Sequence, residues 1–121
     1  MLVWFSVTPI GTGSASVAQE VARAVEAVEA TGVRATTDPS GTLLEGSWEE
    51  CVAALRAAGE AVLTTAPRVS LTCKIDWRTD RPGQTGRDKL DSLRRHRRGG
   101  AEAVPADAGP ARVDRGRAAP T

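Results

Sequence analysis

Two periods of hydrophobic recurrence take turns along the chain. Over residues 2–8, Val3, Phe5 and Val7 fall on one side and Leu2, Trp4, Ser6 and Thr8 on the other, the period-two pattern of a strand with two unlike faces. After Pro9-Ile10-Gly11-Thr12-Gly13, Ser16 and Gln19 stand at capping-box spacing, and Val17, Val21, Val25 and Val28 recur at helical intervals as far as about Thr31, with Gly32 as the stop. Val33–Thr37 reads as a short strand and Thr42–Glu45 as its hairpin partner, joined by the tight-turn residues Asp38-Pro39-Ser40-Gly41. Ser47 and Glu50 form a second capping box, opening a helix with an apolar stripe of Trp48, Cys51, Val52, Leu55, Val62 and Leu63; Pro67 ends it. Alternation then returns over residues 68–76, with Val69, Leu71, Cys73 and Ile75 opposed to Arg68, Ser70, Thr72, Lys74 and Asp76.

The order strand, helix, strand, strand, helix, strand predicts an α+β ferredoxin-like βαββαβ fold: a four-stranded antiparallel sheet with both helices on one face. A further short helix is expected from about Gly86 to His96, at an edge or on a partner chain. From Gly99 the sequence turns to Ala, Gly, Pro, Arg and Asp, with only Val104 and Val113 as larger apolar residues, too few to offset the entropy of ordering. The expected organisation is one domain over residues 1–98 and a disordered tail over 99–121.

Composition sharpens this in three places. The aromatic residues are Trp4, Phe5, Trp48 and Trp77, so the core must come from Val, Leu, Ile and Ala. The net charge of +1 conceals an acidic body and a basic end: residues 1–85 carry 7 Lys/Arg against 10 Asp/Glu, and residues 86–121 carry 9 against 5. The body therefore offers no nucleic-acid surface. Cys51 and Cys73 both fall on apolar faces and read as buried free thiols of a reducing cytosol. Pro9 and Gly11 interrupt the apolar N-terminus well short of a signal-peptide core or membrane span, so a cytoplasmic protein with no membrane partner is expected.

Catalytic chemistry is not assembled in the pattern. The one histidine, His96, sits within Arg94-Arg95-His96-Arg97-Arg98 with no metal-ligand spacing to either cysteine, and no nucleophile–base pair can be built around it. The Gly11–Gly13 turn lacks the Lys of a phosphate-binding P-loop, although its N–H groups at a helix start suit an anion. The helices cover one side of the sheet, which leaves Trp4, Ser6 and Thr8 beside Ser70, Thr72 and Lys74 on the other if the first and last strands are neighbours. Trp4 is there either to be covered in a subunit interface or to stack on a flat ligand. Lys74 and Asp76 share this face and can pair with each other or with Arg78. Exposed edges and a bare face make a homo-oligomer, a dimer or tetramer, the expected state.

Pro9-Ile10-Gly11-Thr12-Gly13, the helix with Val21-Ala22-Arg23-Ala24-Val25, Gly41-Thr42 through Glu45-Gly46, and Pro67-Arg68-Val69 leading to Lys74-Ile75-Asp76-Trp77-Arg78 occur in an order and spacing that resemble the thiamine-binding-protein family over about residues 2–98. The resemblance implies a non-enzymatic ferredoxin-like domain that assembles through its sheets and, in some members, binds thiamine or a related pyrimidine. Trp77, at a position often polar in relatives, and the tail after Arg98 depart from it. No cofactor is implied beyond thiamine as a ligand. On that implication Trp4 offers an aromatic face, and Glu45 or Asp76 accepts from the exocyclic amine. Thr8, Thr42 and Thr72 supply hydroxyls, and Lys74 or the turn at Gly11 and Thr12 meets any phosphate. The alternative is an assembly module whose partner is another protein and which takes no small ligand.

Overall fold

The computed structural model describes residues 1–101. Its elements are β1 (Leu2–Ile10), α1 (Ala18–Ala30), β2 (Arg34–Asp38), β3 (Gly41–Glu45), α2 (Trp48–Leu63), β4 (Arg68–Asp76) and α3 (Gly86–Ala101). The four strands form one antiparallel sheet in the order β2-β3-β1-β4, the ferredoxin-like arrangement expected from the element order. The third helix runs past His96 to Ala101, and residues 102–121 of the expected tail lie outside the described residues.

Strand alternation sets the two faces as the sequence predicts. Val3 and Phe5 of β1 and Leu44 of β3 are buried beneath the helices, together with Ala24 and Val28 of α1 and Cys51, Ala54, Ala58 and Val62 of α2. The hairpin between β2 and β3 is held by Asp38, whose Oδ1 accepts from the Ser40 N–H (2.7 Å), the Ser40 hydroxyl (2.7 Å) and the Gly41 N–H (3.0 Å). These bonds, the Ser40 hydroxyl foremost, hold the Asp38 carboxyl below its ordinary range. The box at Ser47 also forms: Glu50 N–H donates to Ser47 Oγ at 3.2 Å and Ser47 N–H to Glu50 Oε1 at 3.3 Å.

Three local expectations are corrected. Ser16 does not cap α1; Val17 occupies that position with no side-chain bond, and the Ser16 N–H is satisfied by Ser14 Oγ instead. The stripe that α2 buries is Cys51, Ala54, Ala58, Gly59 and Val62, so small residues bring the helix close to the sheet, whereas Trp48, Val52 and Leu63 stay exposed. Cys73 is exposed rather than buried. Its strand, β4, is an edge that two helices are too narrow to cover, so Leu71 and Ile75 are exposed beside it at 38% and 41%. At the end of this uncovered band Trp48 and Trp77 stack with ring centroids 5.3 Å apart.

Candidate functional site

Opposite α1 and α2, the sheet presents rows of side chains whose partners follow from the register. Leu2 of β1 lies between Glu45 of β3 and Asp76 of β4, with Arg34 of β2 beyond Glu45. In the next row on this face Trp4 lies between Leu43 and Lys74, with Thr36 beyond. Ser6 and Thr72 follow as partners, then Thr8 and Ser70. The expected neighbourhood of Trp4, Ser6 and Thr8 with Lys74, Thr72 and Ser70 is thus formed, residue against residue.

This face is not bare. A loop after β4 brings the N-terminus of α3 back over it, and Glu45 is the anchor. Glu45 Oε1 accepts the Gly86 N–H at 2.5 Å, and Glu45 Oε2 meets Arg34 Nε at 3.0 Å; the Glu45 side chain is 13% exposed. A carboxylate at a helix N-terminus satisfies an orphan N–H and complements the dipole. A second tie joins Lys89 of α3 to Asp76 of β4. The helix start is closed by Thr85 and Asp88, where the Thr85 N–H donates to Asp88 Oδ2 (2.9 Å) and the Asp88 N–H to Thr85 Oγ1 (3.1 Å). The Thr85 backbone and then its hydroxyl hold the Asp88 carboxyl below its ordinary range.

Between the helix start and the sheet lies a cleft of about 420 Å³, within the range of small-molecule sites, walled by Trp4, Leu43, Glu45, Lys74, Asp76 and Arg87, with Leu2, Gly86, Lys89 and Leu90 completing it. Trp4 reaches its position because β3 begins with glycine. A Cβ on Gly41 would stand 2.5 Å from the Phe5 carbonyl oxygen and 2.7 Å from the indole Cε2 and Cζ2, so the ring lies against bare backbone.

The family model for thiamine-binding proteins matches residues 3–94, which include most of this cleft. The chain belongs to the thiamine-binding protein family. A UPF0045 protein of Mycobacterium tuberculosis is 44% identical over 86 residues, covering 70% of this chain and 80% of that one. Another, from Methanothermobacter thermautotrophicus, is 43% identical over 91 residues, with 74% and 91% covered. Among solved structures, a hypothetical protein of Methanocaldococcus jannaschii superposes with a TM-score of 0.70 at 33% identity, over 76% of this chain and 93% of that one.

Within this thiamine-binding-protein fold, Trp4, Glu45, Lys74 and Asp76 meet in the cleft, and the other named residues do not. Thr42 is on the helix-covered side, 4% exposed, with its hydroxyl 3.1 Å from that of Thr37. Thr8 and Thr72 share the face of Trp4 but stand further along the sheet. Gly11 and Thr12 lie past the opposite end of β1, roughly 23 Å from Trp4 at about 3.3 Å per residue. There Gly11, at φ 83°, passes so close to Pro67 that an added Cβ would be 2.8 Å from Pro67 Cγ, which accounts for the glycine by packing. Neither Lys74 nor Arg78 pairs with Asp76: Lys89 does, and Arg78 Nε bonds Asp80 Oδ1 at 2.8 Å. His96 Nδ1 pairs with the Ser92 carbonyl of its own helix at 2.8 Å. Sequence reasoning missed Gly86, Arg87, Lys89 and Leu90; the signal was the Thr85-x-x-Asp88 spacing, which marks a helix start at the right place. Among the described residues, no three His, Cys, Asp or Glu side chains gather as metal ligands, and no helix is long and apolar enough to cross a membrane.

Proposed function

We propose that the chain is a non-catalytic, cytoplasmic binding protein for thiamine or a related aminopyrimidine, working as a homo-oligomer. The observation that carries the reading is the family match over the residues that build the cleft. The cleft suits such a ligand: Trp4 offers a ring face for a flat heterocycle, Leu43 and Leu90 an apolar surround, and Asp76 and Glu45 acceptors for an exocyclic amine. Each carboxylate oxygen has a second lone pair, so the bonds to Gly86, Arg34 and Lys89 leave room for this. Burial pushes the Cys51 thiol up, which disfavours it as a nucleophile, and Cys51 and Cys73 are both unbridged, which fits a reducing compartment.

Self-association is supported by β4, a sheet edge flanked by exposed Leu71, Ile75 and Trp77, and by Leu90 and Leu93, exposed at 54% and 56% on α3. These same features favour the second reading, an assembly module with no small ligand. Titration calorimetry with thiamine, its phosphates and the free pyrimidine, on protein whose mass is measured by light scattering after size exclusion, separates the two. A dimer or tetramer that releases heat is expected. An oligomer that gives no heat favours the assembly module, and a stable monomer at micromolar concentration removes the oligomer from both.

A further inference from the structure

The charges around the cleft do not cancel, and the imbalance bears on which ligand it takes. Of its two carboxylates, Glu45 is neutralised by Arg34 and bound to the Gly86 N–H, and Asp76 is neutralised by Lys89. Two cations on the lining remain, Lys74 from β4 and Arg87 from the first turn of α3. Neither has a carboxylate within ion-pair distance among the described residues. They approach the cleft from the sheet and from the helix, and Arg87 stands at the positive end of the α3 dipole. A thiazolium, which carries a fixed positive charge, is repelled by such a rim. A phosphate monoester, at about −1.5 to −2 near neutral pH with three acceptor oxygens, is attracted by it.

Resting on the aminopyrimidine reading above, we infer that the preferred ligand of this cleft is a phosphorylated aminopyrimidine. The ring lies on Trp4, its amine faces Asp76, and the phosphate is held between Lys74 and Arg87. Thiamine monophosphate, in which the ester outweighs the thiazolium, ranks next, and unphosphorylated thiamine last. Lys74 and Arg87 are then the residues that set specificity, while Trp4 and the two carboxylates serve the ring common to all three.

The test is calorimetric titration of the full chain with hydroxymethyl-aminopyrimidine, its monophosphate, thiamine, thiamine monophosphate and inorganic phosphate. Each monophosphate is expected to bind at least about tenfold more tightly than its unphosphorylated counterpart. That ratio should shrink as salt is raised from about 50 to 500 mM, because both cations are exposed and screened. In K74Q/R87Q the ratio should fall to within about twofold of unity; neither side chain is buried or paired, and an unchanged circular dichroism melt confirms that the variant is folded. Equal or tighter binding of the unphosphorylated compounds overturns the inference and leaves the aminopyrimidine reading standing. Inorganic phosphate binding as tightly as the esters overturns it in favour of a general anion site, and no heat from any compound overturns both.

Discussion

Replacing Phe5 by alanine is expected to lower the unfolding free energy by about 3–5 kcal/mol, the cost of a large-to-small change that leaves a cavity. Phe5 is 2% exposed and stands on β1, which is paired on both sides by β3 and β4 and cannot shift inward without breaking two ladders. Its neighbours in the core include Ala24, Ala54 and Ala58, whose side chains have no rotamers to turn into the space. A domain of this size has a total stability of about 5–15 kcal/mol, so the loss is a large part of it. Phe5→Leu keeps most of the volume and is expected to cost under about 1.5 kcal/mol. Urea denaturation of the two variants checks the contrast; similar midpoints would mean that the helices close over the gap.

The second large effect is local. Glu45→Ala is expected to free α3 from the sheet, speeding amide exchange in its first turns about 10- to 100-fold while the core elements exchange as before. The estimate follows from the loss of a charged acceptor bonded to the Gly86 N–H, worth roughly 1.5–3 kcal/mol. The Arg34 pair adds little, because the Arg34 side chain is 65% exposed. The side-chain tie left between α3 and the sheet is the pair between Lys89 and Asp76, both partly exposed. Hydrogen exchange read by mass spectrometry measures the effect, and unchanged protection in α3 would show that Glu45 is not its anchor. The result also governs how binding data are read. Glu45→Gln keeps an acceptor for Gly86 but loses the charge, so weaker ligand binding with α3 still protected points to the amine contact, whereas weaker binding with α3 released points to collapse of the cleft.

How far the cleft was legible before the fold was known depends on which residues are considered. Trp4, Lys74 and Asp76 were placed on one face by alternation together with the pairing of first and last strands that the expected fold implies, and the register puts Trp4 directly opposite Lys74. Thr42 entered only as a hydroxyl implied by the family resemblance, with no strand face assigned to it: β3 begins at Gly41, and Thr42 pairs with Phe5, so it faces the helices. Gly11 and Thr12 looked like anion binders because a glycine turn before a helix has that shape, but Gly11 is explained by its contact with Pro67.

The sequence by itself determined the element order, the strand faces and both ends of the hairpin, because a period of two or 3.6 and a capping or turn residue act within a few positions of one another. Only the tertiary structure decided that α3 returns over the open face, that Glu45 holds Gly86 across 41 positions of chain, and that the cleft has two unpaired cations on its lining. It alone decided that Cys73 and Ile75 are exposed, since an apolar alternation looks the same on a central strand and on an edge. The physical reason is common to all of these. Local patterning states what a residue prefers, but burial and charge pairing depend on which distant segments arrive, and the position of β4 at the sheet edge and of α3 above it is set by packing of the whole domain.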